Sequence, residues 1–422
     1  MPIFTNPFQD RAVKQKDSAS LKPPLPHEPV PPALSRVGRG ASTDASRRPS
    51  VATVSSINSN PDTQHNHLNV PRRPSAWGRM SDYVARRNST PHGTTAPLHE
   101  WDRWVAHTKR TFSTSDELID ESRMAALTKK YGELCEVSGL GTESIILVSH
   151  KYQYCPPLDT YYALKVLRRA PDESQSDHQN RVTAEFALAS TLTHKHVVPT
   201  YELLPLGAGN TPDLFVISME NCAGGDLHSL IAGSAAHKLP AEQADCLFKQ
   251  LLRGLAYLHS KDVAHRALAP ENLLLTNRGC LKIADFGHAT CFRVPGEDSV
   301  VLSKGKCGIS RPYISPEQYT DAEFDPRAVD IWAAAVIYVA MRTGRNLWQE
   351  ATESDTGFAQ WMEQRSNGKN NAVLDEISTD LSRDILYAML SIDPAARPTT
   401  AQVLSSAWVE GVDCCIPAAI SD

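Results

Sequence analysis

Hydrophobic and polar positions divide this 422-residue chain into two unlike parts. Up to about residue 112 there is little helical or strand period, and Pro, Ser, Thr, Asn and Arg dominate. Such a segment buries too little apolar surface to offset the entropy of ordering, so 1–112 is expected to be a disordered tail. Thr114-Ser-Asp-Glu117 fits a capping box and predicts a helix reaching about Lys130, making 113–130 a helical extension. From Tyr131 the pattern changes. Residues 131–148 read as strand, glycine-bearing turn, strand. Tyr161-Tyr-Ala-Leu-Lys-Val-Leu167 alternates with period two, which puts Ala163 and Lys165 on one face. Between these segments, 149–160 with Pro156-Pro157 reads as a surface loop. Arg181 to Leu192 carries helical spacing through Val182, Phe186 and Ala189, and an apolar strand opens at Leu214. Asp245 to Ser260 is a helix with Phe248, Leu251, Leu252, Leu255 and Leu258 on one stripe.

Charge follows the same division. Through Ser115 there are 16 Lys and Arg against 8 Asp and Glu; the remainder has 27 against 40, so the net −5 conceals a basic tail on an acidic globular part. Dispersed arginines in a disordered segment read as solvated charge, so no nucleic-acid partner is expected. Nine cysteines, an odd number without a C-x-x-C, and no signal-like apolar opening predict reduced thiols in a cytoplasmic protein. The longest apolar run, Ile331 to Met341, is well short of the roughly 20 residues that cross a bilayer, so no transmembrane segment is expected. Cys415 is too far from the end for a prenylation signal.

The tail carries two kinds of signal. Lys22-Pro-Pro-Leu-Pro-His-Glu-Pro-Val-Pro-Pro32 favours extended polyproline II geometry, a stiff linker or a ligand for an SH3-type aromatic groove. Three copies of Arg-Arg-x-Ser end in Ser50, Ser75 and Ser89. Two arginines ahead of a hydroxyl suit an upstream basophilic kinase, and each phosphate would add about −1.5 to −2 charge.

Within the globular part the motifs fall in a definite order. Gly139-Leu-Gly141 is followed by Ser144 and Ile146, then by Lys165 in its strand and Glu185 in its helix. Next come Leu214-Phe-Val-Ile-Ser-Met-Glu-Asn-Cys222 and Ala264-His265-Arg266-Ala267-Leu268-Ala269-Pro270-Glu271-Asn272. Leu281-Lys-Ile-Ala-Asp-Phe-Gly287, Tyr313-Ile-Ser-Pro-Glu317, Asp330-Ile-Trp332, Asp393-Pro-Ala-Ala-Arg397 and Ala407-Trp-Val409 complete the set. In this order and spacing the chain resembles the Ser/Thr protein kinases over about two thirds of its length. The phrases Thr183-Ala-Glu-Phe and Phe292-Arg-Val-Pro-Gly-Glu297 look like one branch in particular, the fungal halotolerance and nitrogen-permease-reactivator group. Those kinases have long Ser-rich tails and regulate plasma-membrane transporters, which implies a cytoplasmic protein that can work peripherally at that membrane.

The resemblance implies an α+β, bilobal protein-kinase fold over 131–410. A small five-stranded β lobe with a C-helix would span about 131–219 and a larger helical lobe about 220–410, with 411–422 a short C-terminal tail. It implies ATP and Mg2+ as cofactors. Gly139, Gly141 and Ser144 would close over the phosphates, with serine where the family has its third glycine and Ile146 in place of a valine. Ala163 would line the adenine pocket, with Met219 the gatekeeper, Glu220 and Cys222 offering backbone groups, and Leu274 packing beneath the base. Lys165 would hold the α- and β-phosphates, oriented by Glu185, with Asn272 and Asp285 binding the metal. Glu317 and Arg397 would form a structural ion pair, and His265 and Arg266 would act as scaffold.

The loop departs from the family where chemistry happens. Ala267 stands where the catalytic aspartate accepts the hydroxyl proton, and Ala269 where a lysine contacts the transferred phosphate. The segment Ile309-Ser310-Arg311-Pro312 before Tyr313 is one residue longer than usual, with Ser310 the candidate to contact that region. Losing a general base typically costs about 10²–10⁴ in rate, and losing a charge aimed at the transferring group roughly 10²–10³ more. From about 1–100 s⁻¹ the expected turnover falls to roughly 10⁻² s⁻¹ at best. The expectation is therefore an ATP-binding pseudokinase that works as a signalling regulator or scaffold on a protein partner. The alternatives are a weakly active Ser/Thr kinase using another base, and a domain that anchors a phosphorylatable tail.

Overall fold

The computed structural model describes residues 120–415, apart from 141–143, 155–156, 171, 210–211, 295, 298, 306–310 and 321. The expectations for Gly141, Ser310, Ser50, Ser75, Ser89 and the Thr114 capping box lie outside the described residues. The first described helix, α1 (Glu121–Tyr131), has Asp120 as its N-cap, whose carboxylate accepts from the backbone N–H groups of Ser122 and Arg123. An acidic first turn and Lys129 and Lys130 in the last turn complement its dipole.

Five strands follow: β1 (Glu133–Leu140), β2 (Ser144–Tyr154), β3 (Pro157–Arg168), β4 (Thr200–Pro205) and β5 (Leu214–Glu220). They form an antiparallel sheet in the order β1-β2-β3-β5-β4. Period two gives the sheet two apolar faces. Ile145, Leu147, Leu164, Val166 and Val216 are buried on one of them, with Leu127 and Tyr131 of α1 packed over them. Leu167 and Ile217 face the other way, against Val182 and Phe186 of α2 (Gln175–Ser190). The extension helix is thus the second cover of the sheet. Arg123 donates to the carbonyls of Gly207 and Gly209, and Tyr131 Oη donates to Glu202 Oε2 at 2.6 Å. Gly132 ends α1 with φ +87°, and a Cβ there would meet the His150 carbonyl oxygen at 2.0 Å; only glycine lets α1 turn this tightly onto β2.

Two boundaries in the small lobe differ from the sequence reading. The expected loop 149–160 is an extension of the β2–β3 hairpin, paired as far as Tyr154 with Pro157. His150 Nε2 bonds to Asp159 Oδ1 at 2.7 Å and its ring stacks on Tyr161, and Pro157 opens its strand, where a missing N–H is tolerated. Helix α2 begins at Gln175, with Ser174 as its N-cap, rather than at Arg181. Its opening turns are polar apart from the buried His178, so no apolar period announces them.

The large lobe is helical, with small strands along the cleft. In chain order these are β6 (Gly225–Asp226), α3 (Leu227–Gly233), α4 (Ala241–Ser260), β7 (Val263–Ala264), β8 (Leu273–Leu275), β9 (Leu281–Ile283) and β10 (Thr290–Cys291). Strands β6, β8 and β9 form one sheet, β7 and β10 another. Helix α4 starts four residues before the expected Asp245, directly after Pro240. Helix α5 (Pro326–Thr343) carries the run Ile331 to Met341, every residue of which is buried in the lobe's core. No described helix is long and apolar enough to cross a membrane. Helices α6 (Thr356–Ser366), α7 (Ala372–Ile377), α8 (Asp380–Met389), α9 (Thr400–Leu404) and α10 (Ala407–Glu410) complete the lobe.

Candidate active site

Packing on the sheet's inner face brings the first pair together. Lys165 points toward α2 by strand alternation, and Val182 and Phe186 hold α2 so that Glu185 lies beside it. Lys165 Nζ donates to Glu185 Oε1 at 2.7 Å and to Asp285 Oδ1 at 2.8 Å, with the lysine and glutamate side chains buried. The C-helix α2 is therefore in its inward position. Burial works against the Lys165 charge, but Asp285 and Glu185 outweigh it and raise its pKa. Burial likewise opposes ionisation of Asp285, and the charge and hydrogen bond of Lys165 win, bringing its carboxyl down to about 2.

Backbone links set Asp285 beside the loop that bears Ala267. Ala284 N donates to the Asn272 carbonyl at 2.9 Å, and His265 Nε2 bonds to the Ala284 carbonyl at 3.0 Å. Phe286 is buried with its ring centroid 5.3 Å from that of His265. Asp285 and Arg266 both have φ +65°, a region that costs a residue with a side chain roughly 1–3 kcal/mol unless its surroundings impose it. For Arg266 the restraint is Asp330, fully buried in α5, whose two carboxylate oxygens accept from the backbone N–H groups of His265 and Arg266 at 2.9 and 2.8 Å. The sequence reading used Asp330 only as the first residue of the Asp330-Ile-Trp332 motif. A carboxylate inside an apolar helix needs buried donors, and that was the available signal for its second role.

Ala267 is half-buried at the cleft, and Ala269, 1% exposed, belongs to the core of the large lobe. Neither methyl group can accept a proton or offer a charge. Asn272 Nδ2 donates to the Ala267 carbonyl at 2.9 Å, which leaves its amide oxygen as the atom suited to a cation.

The remaining predicted residues fall along the same cleft. Met219 lies opposite Ala163 in the β3–β5 register, and Ile146 lies opposite both Gly139 and Lys165. A Cβ on Gly139 would make only ordinary contact with Ile146, at 3.5 Å, so the fold itself does not require glycine there. Ser144 is the first residue of β2. The Glu220 carboxylate is held by Lys282 Nζ at 2.8 Å, and burial, then the Glu220 charge, push the Cys222 thiol up to about 12. Leu274 is half-buried between the buried Leu273 and Leu275, and by alternation faces the opposite side of β8. Away from the cleft, Arg397 holds Glu317 through two bonds of 2.6 and 2.8 Å and lies over the Trp332 ring at 4.8 Å.

The arrangement can hold a polyphosphate and its cation. Lys165 supplies a fixed positive charge, Asp285 stays ionised, and Asn272 adds a neutral oxygen. Among the described residues no group of three or more His, Cys, Asp and Glu side chains is placed to hold a metal ion alone. A cation here would draw further ligands from phosphate oxygens and water, which is how Mg2+ usually binds.

A two-lobed fold with this cleft defines a protein kinase domain, and the family model for the protein kinase domain matches residues 155–409. The chain belongs to the protein kinase family. It is similar to the serine/threonine-protein kinase hal4 of Schizosaccharomyces pombe, 37% identical over 90% of this chain and 61% of the relative. It is also similar to the serine/threonine-protein kinase HAL4/SAT4 of Saccharomyces cerevisiae, 40% identical over 68% of this chain and 47% of the relative. The serine/threonine-protein kinase HAL5 of Candida glabrata is 31% identical over 69% of this chain and 42% of its own length. The chain thus spans between about two fifths and three fifths of these curated relatives.

Proposed function

We propose that the domain binds Mg-ATP and acts as a pseudokinase, a regulator or scaffold for a protein partner, with phosphoryl transfer disabled at Ala267 and Ala269. The observation that carries this reading is the ion-pair chain Glu185–Lys165–Asp285, assembled beside a loop without its base or its lysine. Bound Mg-ATP would supply the phosphates and the cation. This chain's part is to orient them: Lys165 toward the phosphates, Asp285 and Asn272 toward the metal, and the backbone at 220–222 toward the base. A substrate hydroxyl entering the cleft would find no carboxylate at position 267 to take its proton. Regulation by phosphate on Ser50, Ser75 and Ser89, and a role at membrane transporters, belong to the same proposal.

A second reading, an active or weakly active Ser/Thr kinase with another base, is favoured by the three relatives above, each named a serine/threonine-protein kinase. Calorimetric titration with Mg-ATP and a labelled-phosphate assay separate the two. Micromolar to millimolar binding with little transfer is expected. Absence of Mg-ATP binding would remove the nucleotide half of the proposal, and ordinary kinase turnover abolished by Asp285→Asn would establish the second reading. Ala267→Asp alone and with Ala269→Lys should be compared, because the buried 269 side requires a lysine to thread out of the core.

A further inference from the structure

Three thiols meet beside α4. Cys246 is fully buried on the helix, and the chain after α10 returns across it. The Cys415 sulfur lies 3.4 Å from that of Cys246, and the Cys414 sulfur 4.0 Å. The Cys415 backbone N–H also donates to Cys246 Sγ at 3.4 Å, and Gln250 Nε2 donates to both Cys246 and Cys415 at 3.5 and 3.6 Å. Lys249 fixes the returning segment by donating to the carbonyls of Glu410 and Val412 at 3.0 and 2.8 Å. The two sulfurs are thus presented by backbone anchors, not by chance rotamers of a loose end.

We infer that Cys246 and Cys415 form a reversible disulfide under peroxide, pinning the C-terminal segment to α4. Closing the bond requires the sulfurs to move from 3.4 Å to about 2.05 Å, within reach of a small side-chain rotation. Cys415, half-buried, meets peroxide first. Its thiolate attacks one peroxide oxygen, the O–O bond breaks, and the departing hydroxide takes a proton, leaving a sulfenic acid and water. Cys246 then attacks the sulfenic sulfur; the S–S bond forms, and the hydroxyl leaves with the Cys246 proton as a second water. The balance is two thiols and one peroxide giving one disulfide and two waters. Its hydrogen bond with Cys414 draws the Cys246 thiol down, but the bond with Cys415 and burial outweigh it and lift the thiol to about 11. Cys246 therefore waits as a thiol and acts as the resolving partner, not the peroxide-reactive one.

The bridge would enclose the catalytic loop, Asp285 and α5 in one covalent ring. Gln250 also ties the cluster to β9, since its Oε1 accepts from Leu281 N at 2.9 Å.

The test treats the full chain with hydrogen peroxide, alkylates free thiols and maps peptides before and after reduction. The Cys246 and Cys415 peptides should become linked, and the link should be released by dithiothreitol. It should persist in Cys414→Ser and vanish in Cys415→Ser. The thermal midpoint of the oxidised wild type should rise by roughly 5–15 °C over the reduced form, with no rise in Cys415→Ser. A Cys414–Cys415 or Cys246–Cys414 link in the wild type, or peroxide treatment that leaves both Cys246 and Cys415 alkylated, would overturn the inference.

Discussion

Two strips of one cleft have had different fates. On the phosphate side Lys165, Glu185 and Asp285 form a continuous chain of ion pairs at 2.7 and 2.8 Å. On the hydroxyl side, one loop away, the equivalent functional positions are the methyl groups of Ala267 and Ala269. The backbone of that loop is nonetheless held: Asp330 bonds the N–H groups of His265 and Arg266, and Asn272 bonds the Ala267 carbonyl. With alanine at 267 and 269 the loop backbone keeps these bonds. The platform that shapes a catalytic loop is thus separable from the groups that do chemistry on it.

The largest expected effect is on the stability of the large lobe that carries the loop. Arg397→Ala leaves Glu317 buried without its cation, and such a break costs about 3–5 kcal/mol. A drop in thermal midpoint of roughly 6–20 °C in a melt should show it. A change of under 2 °C would mean that this buried pair carries little of the lobe's stability. The second variant breaks the intact strip. Lys165→Ala deprives Glu185 and Asp285 of their shared partner and a phosphate of its contact, so Mg-ATP affinity should fall by about 10²-fold or more in calorimetry. Equal loss in Ala267→Asp would erase the contrast between the strips.

The third effect depends on pH. Burial holds the imidazole of His196, which packs under β9, down to about 3, with its bond to the Leu281 carbonyl opposing. Its folded pKa lies below the unfolded value of about 6.5, so the unfolded chain binds the extra proton between those limits. Stability should therefore be constant above about pH 6.5 and fall as pH drops toward 3, by at most about 1.4 kcal/mol per unit from this residue. Denaturant midpoints measured at several pH values, with His196→Asn as the control of reduced slope, check the sign. The smallest effect is expected at the glycine turn. Ser144→Gly restores the family's third glycine at the head of β2, and Mg-ATP affinity should change by less than about tenfold, since backbone approach is adjusted without adding a charge.

Much of the site was legible because its residues stand in the motif order of the family the chain resembles. The alternation of β3 puts Lys165 on one face with Ala163, and the resemblance, not a period, named Glu185 as its partner. What was not legible had no local period. The polar first turns of α2 and the extension of the β2–β3 hairpin carry no apolar period, although their cap and pairing partners are close in sequence. Asp330 was visible as a residue but not as a support, because its donors lie 64 and 65 positions earlier.

The sequence by itself determined the order of the motifs, the family and the absence of the two reactive side chains, because residue identity and spacing along the chain carry those facts. Only the tertiary structure decided that α2 is drawn inward and that Asp285 joins the lysine. It alone decided that α1 covers the outer face of the sheet, and that Cys415 comes to rest on Cys246. Each of these is a contact between segments far apart in sequence. Such contacts are set by which apolar faces remain to be buried once the local elements have formed, and no local pattern records that outcome.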